Sequence, residues 1–315
     1  MFEEIFSREE LQKSPPVLVD IGASGKIHPK WRLIAPYSIC IAFDADLRDM
    51  GYIEKENSGY KKLYVYPTIV AEAKSENINF YLTKSPHCSS ILKPDQKSLG
   101  NWAFAPLFEV IDTCSQNAID LPSVLSELGI KQVDWFKTDS QGTDLRLFKS
   151  LGGRMLRKSL IAEFEPGIID AYIGEDKLCS LMGFFDGQPF WMSNIEIKGT
   201  QRFLPNLLKK HFSDLQQRFV DSCLRKSPCW AEVTYLNSFE DNTFSSREFL
   251  LGWVFATIET QHGFAFELAK RAFEKFGDPF FEKLQNMSLK QMEMTAGKLT
   301  VLAVKKVLRM LHMKK

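Results

Sequence analysis

Within the first 200 residues, short apolar runs alternate with stretches of helical spacing, and no other feature restricts the fold as much. "VLVDI" (17–21), "ICIAF" (39–43), "KLYVY" (62–66), "INFYL" (78–82), "VDWFK" (133–137) and "LIAEF" (160–164) read as strands, and "FWMSNIEI" (190–197) as a further extended stretch. Several are almost continuously apolar, as strands covered on both faces are. Between them, "IDLPSVLSELGI" has Asp120 placed to cap a helix, Pro122 in its first turn and Gly129 near its end. "TDLRLFKSLGG" sets Leu145, Phe148 and Leu151 at helical spacing. Strands alternating with helices predict an α/β domain, its sheet mostly parallel and covered by helices on both faces.

From about Gly199 the texture changes. "FLPNLLKKHFSDLQQRFVDSCL" and "SREFLLGWVFATIETQHGFAFELAKRAFEKFG" read as amphipathic or buried helices with no convincing strand between them. The expected organisation is an α/β domain over 1–199 and a helical domain over 200–315, suited to recognising an acceptor or partner. A length of 315 residues leaves room for both.

Composition excludes more than it identifies. A formal net charge of +1 gives no global pull toward nucleic acid. No apolar run reaches the roughly 18 residues of a membrane-spanning helix. The opening "MFEEIFSREELQ" is acidic and amphipathic, unlike a secretory signal. Six cysteines without paired spacing read as reduced, packed thiols, which points to the cytoplasm.

Three stretches carry chemistry. In "VLVDIGASGKIHPKW" (17–31) a buried strand ends in Asp20, and Gly22, Ala23, Ser24 and Gly25 follow. Small residues at a strand's carboxyl end let the backbone approach a ligand. The glycine spacing is not that of a dinucleotide-binding loop. A carboxylate at position 20 repels a pyrophosphate but suits an ammonium, which favours S-adenosylmethionine (SAM) over NAD. A tight turn after a strand accounts for the same residues equally well. In "IAFDAD" (41–46), Asp44 stands 22 residues after Gly22, where an acid ending a second strand accepts ribose hydroxyls; Asp46 is the runner-up. In "DWFKTDSQGTD" (134–144), Ser140 or Thr143 caps the next helix and Asp144 suits its N-terminus. Lys137 and Asp139 are left over on one face of the strand end, either as a structural ion pair or as a site that deprotonates a hydroxyl.

Taken in order, "VDIGASGK", "AFDAD", "YLTKSPHCSSILKPD", "IDLPSVLSELGIKQVDWFKTDSQGTDLRLFKSLG" and "LIAEFE" resemble the FkbM-type family of SAM-dependent methyltransferases over residues 15–198. The resemblance implies a Rossmann-like class I methyltransferase sheet and methyl transfer to an oxygen, often a sugar hydroxyl. It places Asp20, Gly22 and Ala23 at the methionine end of SAM, Asp44 at the ribose, and "YPTIVAEA" (66–73) near the adenine. Lys137 and Asp139 face the transfer centre above Gln141 and Gly142. Lys26 stands where the family's third small residue falls, Asp44-Ala45 replaces Glu-Pro, and Asp144 replaces a Glu. The first departure favours an alternative, a catalytically degenerate member acting as a protein-interaction module.

A sugar hydroxyl is a poor nucleophile, so a general base helps. The candidates are Asp139, Glu163 and His87. Glu163 serves equally as a strand-end carboxylate paired with Lys137 or Arg157, and a loop histidine bonded to backbone is the simpler reading of His87. Asp139 and Glu163 on adjacent strands could hold a divalent cation, but two visible ligands make that the minority reading. The acceptor is expected to be a small molecule or a saccharide. The basic stretch 297–315, with six Lys/Arg and no acid, suits either a helix packed with one solvated face or contact with an anionic membrane surface. The aromatic residues of "EFLLGWVFATIE" (248–259) read as core.

Overall fold

The computed structural model describes residues 1–23, 27–46, 48 and 59–312, with side chains except at 218, 221 and 296–312. Two compact units emerge, one formed by Pro15–Glu240 and the other by Met1–Ser14 with Asp241–Lys315.

The larger unit is α/β. Its ten strands are β1 (Val17–Ile21), β2 (Ile39–Phe43), β3 (Lys62–Tyr66), β4 (Ile69–Ala71), β5 (Ser75–Thr83), β6 (Val110–Asp120), β7 (Trp135–Thr138), β8 (Ile161–Phe164), β9 (Phe190–Thr200) and β10 (Ser227–Asn237). Seven of them form the main sheet in the order β3-β2-β1-β7-β8-β10-β9. Neighbours from β3 to β8 pair in parallel, and β10 runs antiparallel to both β8 and β9. The apolar runs foreseen as buried strands are buried: every residue of β1 is, as are Cys40–Phe43 of β2. Beneath β7 and β8, Phe136, Phe148, Phe164, Phe185 and Tyr235 join one apolar cluster, in which Phe185 stacks on Tyr235 at 3.8 Å.

From β1 the chain runs outward to β2 and β3, then returns to place β7 on the other side of β1. This reversal opens a crevice at the carboxyl ends of β1 and β7, where open α/β sheets bind ligands. The second sheet, β4-β6-β5, is inserted between β3 and β7. "INFYL" belongs to it, within β5, and not to the main sheet.

The boundary expected near 200 lies at 240 instead. Residues 227–237 form β10, which completes the main sheet between β8 and β9. Its buried Ala231, Val233 and Tyr235 are two apart, a strand period hidden between helical segments.

The second unit is helical. Its helix Ser246–Ile258 opens with a capping box between Ser245 and Glu248 and is buried from Arg247 through Ala256, so the aromatic residues there are core. Helices His262–Phe276 and Pro279–His312 follow. The N-terminal helices Phe2–Phe6 and Glu9–Lys13 belong to this unit and bury Ile5, Phe6 and Leu11. Arg8 pairs with Asp278 at 2.5 Å, and Lys283 with Glu4 at 2.6 Å. The basic stretch 297–315 continues the last helix as far as His312, but its side chains lie outside the described residues. Among the described residues no helix is long and apolar enough to cross a membrane. All six cysteines are free thiols.

Candidate functional site

Strand register decides which charged residues meet. Asp20 pairs with Lys137 across β1 and β7, and Lys137 with Glu163 across β7 and β8. Partners in parallel register point to the same face, so an acid, a base and an acid stand in a row. Lys137 Nζ lies 3.1 Å from Asp20 Oδ1, and the His28 amide donates to Asp20 Oδ2 at 2.9 Å. Asp20 is 0% exposed. It therefore serves as the buried counter-ion of Lys137 and does not line the crevice. Burial works against the charged lysine, but the carboxylates of Asp20, Asp139 and Glu165 outweigh it and hold the Lys137 pKa above its ordinary value.

Glu163 is likewise committed. It accepts from Trp135 Nε1 at 2.7 Å and contacts His28 Nε2 at 3.1 Å and Lys30 Nζ at 3.3 Å. Burial alone would raise its pKa; His28, Lys30 and Trp135 bring it down to about 2. Its partners are not Lys137 or Arg157, and it stands apart from the crevice as a structural ion-pair acid.

The carboxylate beside Asp139 is Glu165. The register that pairs position 137 with 163 sets 139 level with 165, just past both strand ends. Glu165 hydrogen bonds to Asp139, and burial followed by that neighbouring charge drives its pKa far above the usual range. The protonated form of Glu165 is thereby favoured beside Asp139, and Trp230 Nε1 donates to Glu165 Oε1 at 2.8 Å. The motif "LIAEFE" contains Glu165, but only the strand register sets it beside Asp139.

Backbone geometry brings the walls together. Gly22 and Ala23 donate to the Phe43 carbonyl at 2.9 and 3.1 Å, and Asp139 donates to the Ile21 carbonyl at 2.8 Å. Gly22 has φ +76°, and a Cβ there would stand 2.1 Å from the Asp139 carbonyl oxygen. Only glycine permits both the conformation and the approach. Gln141 is held at φ 56°, and its amide donates to Asp139 Oδ1. The Tyr172 hydroxyl lies 2.9 Å from Gln141 Oε1 and from the Cys88 carbonyl, and Ser90 donates to the Gln141 carbonyl at 2.8 Å. A non-glycine residue kept in the left-handed region by three contacts marks a conformation that the site requires.

Asp144 is buried. It accepts from the Ser140 amide at 2.8 Å, from Thr138 Oγ1 at 3.2 Å and from the Glu165 amide at 2.8 Å. It ties the turn after β7 to the end of β8, more than the helix-end charge read from sequence. Thr143 occupies the N-cap position without a side-chain cap bond, whereas Ser140 Oγ accepts from the Thr143 amide at 3.1 Å.

These walls line a crevice that is open to solvent. Gly22, Asp44 and Asp139 line it beside Thr68, Ile69 and Val70 of "YPTIVAEA" and His87. Asp44 Oδ1 accepts from the Asp46 amide at 2.8 Å, while Oδ2 is buried without a partner among the described residues. Burial pushes Asp44 up to about 6; the Asp46 amide opposes this, and the charges of Asp46, Asp139 and Asp20 add to it. Asp46 is taken up by Arg48, whose Nη2 lies 2.5 Å from Asp46 Oδ2 and whose Nη1 donates to the Thr83 carbonyl at 2.9 Å. Asp44 alone of the two acids has an oxygen to offer. Ser24, Gly25 and Lys26 lie outside the described residues. Among the described residues no three His, Cys, Asp or Glu side chains are grouped to hold a metal ion.

The sequence matches no protein-family model and no curated protein.

Proposed function

We propose that the chain is an FkbM-type SAM-dependent O-methyltransferase acting on a hydroxyl of a saccharide or glycosylated acceptor. The observation that carries this reading is Asp44, a residue lining the crevice at the switch point of the sheet, whose buried Oδ2 has no partner among the described residues. A buried acceptor is left unpaired at a cost of about 1–3 kcal/mol, and a pair of ribose hydroxyls would satisfy it. The strand order supports the same reading. The strands β3-β2-β1-β7-β8-β9 follow the doubly wound order, with the reversed β10 set between the last two. That reversed strand is what separates the class I methyltransferase sheet from the plain dinucleotide-binding one.

SAM supplies, when bound, a methyl group already activated on a sulfonium. Gly22 would let the backbone come close to it, and Asp44 would hold the ribose. Ile69 and Val70 would offer the adenine an apolar wall. Asp139, held by Gln141 and by protonated Glu165, orients the acceptor hydroxyl and takes its proton. His87, also lining the crevice, is the second candidate base. The ammonium contact foreseen for Asp20 is not part of this reading, because that carboxylate is enclosed by Lys137 and His28.

The sealed position of Asp20 favours a second reading, a methyltransferase-like sheet that no longer transfers and serves as an interaction module. Calorimetry with SAM and a transfer assay with labelled SAM on fractionated saccharide precursors separate the two. The enzyme reading expects SAM binding, transfer by the wild type, and loss of transfer with retained binding in Asp139→Asn. Binding without transfer to any fraction assigns the second reading, and folded protein that gives no heat with SAM removes the enzyme reading.

A further inference from the structure

Between β9 and β10 the chain leaves the sheet over residues 201–226. The register sets Val233 of β10 level with Phe164 of β8 and with Ile195 of β9. β9 runs on to Thr200, so the excursion begins beyond the carboxyl edge of the sheet, the edge that holds the crevice. There the Ala103 amide donates to the Gln201 carbonyl at 3.1 Å.

Helix Asp214–Cys223 in this excursion is turned inside out. Leu215 and Phe219, one turn apart, are 80% and 72% exposed, whereas Gln217 and Val220 on another face are partly covered. The side that amphipathic helices bury is here presented to solvent. Leu204 is 64% exposed, and Leu207, Phe212 and Leu224 extend the apolar surface. Solvent-facing apolar groups of this size, gathered on one excursion, mark an interaction surface.

The charge selects the partner. Residues 201–226 contain six Lys/Arg and two Asp, whereas the whole chain is nearly neutral. Lys209, Lys210, Arg225 and Lys226 are exposed, and none forms an ion pair among the described residues. A second copy docked on this face would oppose like charges. Exposed apolar groups among exposed cations match an anionic lipid surface, which accepts leucine and phenylalanine among acyl chains and lysine against phosphate.

We propose that the excursion 201–226 is a peripheral docking surface for an anionic bilayer, with Leu215 and Phe219 as its apolar anchors. It sits on the sheet edge where the proposed acceptor would enter, so docking brings the crevice to lipid-linked substrates. The docking itself does not depend on methyl transfer: vesicle binding is measured without cofactor, so either proposal can fail alone.

The test is co-sedimentation of the full chain with vesicles of phosphatidylcholine, with and without phosphatidylglycerol. Binding to the anionic vesicles alone, weakening as salt rises, is expected. Leu215→Ser/Phe219→Ser should cut that binding by roughly tenfold or more. Lys209→Glu/Lys210→Glu should also cut it and flatten its salt dependence, with circular dichroism unchanged in both variants. Three results overturn the proposal: no binding to anionic vesicles, undiminished binding by Leu215→Ser/Phe219→Ser, or equal binding to neutral vesicles. A wild-type dimer that Leu215→Ser/Phe219→Ser makes monomeric by light scattering assigns the surface to a second copy and overturns it as well.

Discussion

A single oxygen of Asp44 couples stability to binding. The folded-state pKa of Asp44, about 6, lies above the ordinary aspartate value, so the folded chain binds the extra proton. The stability associated with that proton is present below the ordinary value and is lost as pH rises through 6. Asp44→Asn removes the loss. The variant should be the more stable of the two above pH 6, by about 3 kcal/mol at most, and converge with the wild type near pH 4. SAM affinity should move the other way, weaker in the variant at pH 7.5, and weaker in the wild type as pH falls below 6. A variant that is no more stable and binds SAM normally would contradict the role given to this oxygen. The acids two residues apart on β8 and beyond separate just as cleanly. Glu163→Gln, which leaves Lys30 and His28 without their carboxylate, should cost about 3 kcal/mol in denaturant unfolding and spare transfer in the folded protein. Glu165→Gln keeps a neutral donor toward Asp139 and should hold transfer near neutral pH, while Glu165→Ala lowers it.

At the scale of elements, the prediction concerns helix Leu121–Glu127. Asp120 accepts from the Ser123 amide at 2.8 Å, the cap expected from the sequence. Asp120→Ala should cost about 1 kcal/mol, read from the denaturant midpoint. Elements with a one-sided or buried pattern were legible in this way: β1, β2, β3, β7 and β8 all coincide with apolar runs. β6, "VIDTCSQNAID", was not, because its polar residues face water and only Ala118 is buried. β10 was missed for another reason, since its period of two is short and flanked by stronger helical patterns. The site divided along the same line. Gly22, Asp44 and Asp139 could be read from the ends of apolar strands. Glu165, Gln141 and Trp230 could not, because their roles depend on strand register and on a backbone turn that composition does not reveal.

For the molecule as a whole, the division into two units falls in neither half of the sequence. Ile5, Phe6 and Leu11 are buried within the helical unit, whose other residues begin at Asp241. Burying one such side chain contributes about 1.5–3 kcal/mol. A chain lacking Met1–Ser14 should therefore show a destabilised helical unit, seen as earlier unfolding of the Trp253 environment and faster hydrogen exchange in helix Ser246–Ile258, while Pro15–Glu240 keeps its fold. Equal protection in both chains would mean that the N-terminal helices only decorate that unit.

The joining of the first fourteen residues to the last seventy-five also imposes an order on synthesis. Met1–Ser14 are made before Pro15–Glu240, and their packing partners after it. Until then their apolar side chains have no home, and the acidic residues Glu3, Glu4, Glu9 and Glu10 around them keep the waiting segment in water. The helical unit can therefore fold only once residues on both sides of Pro15–Glu240 have been made.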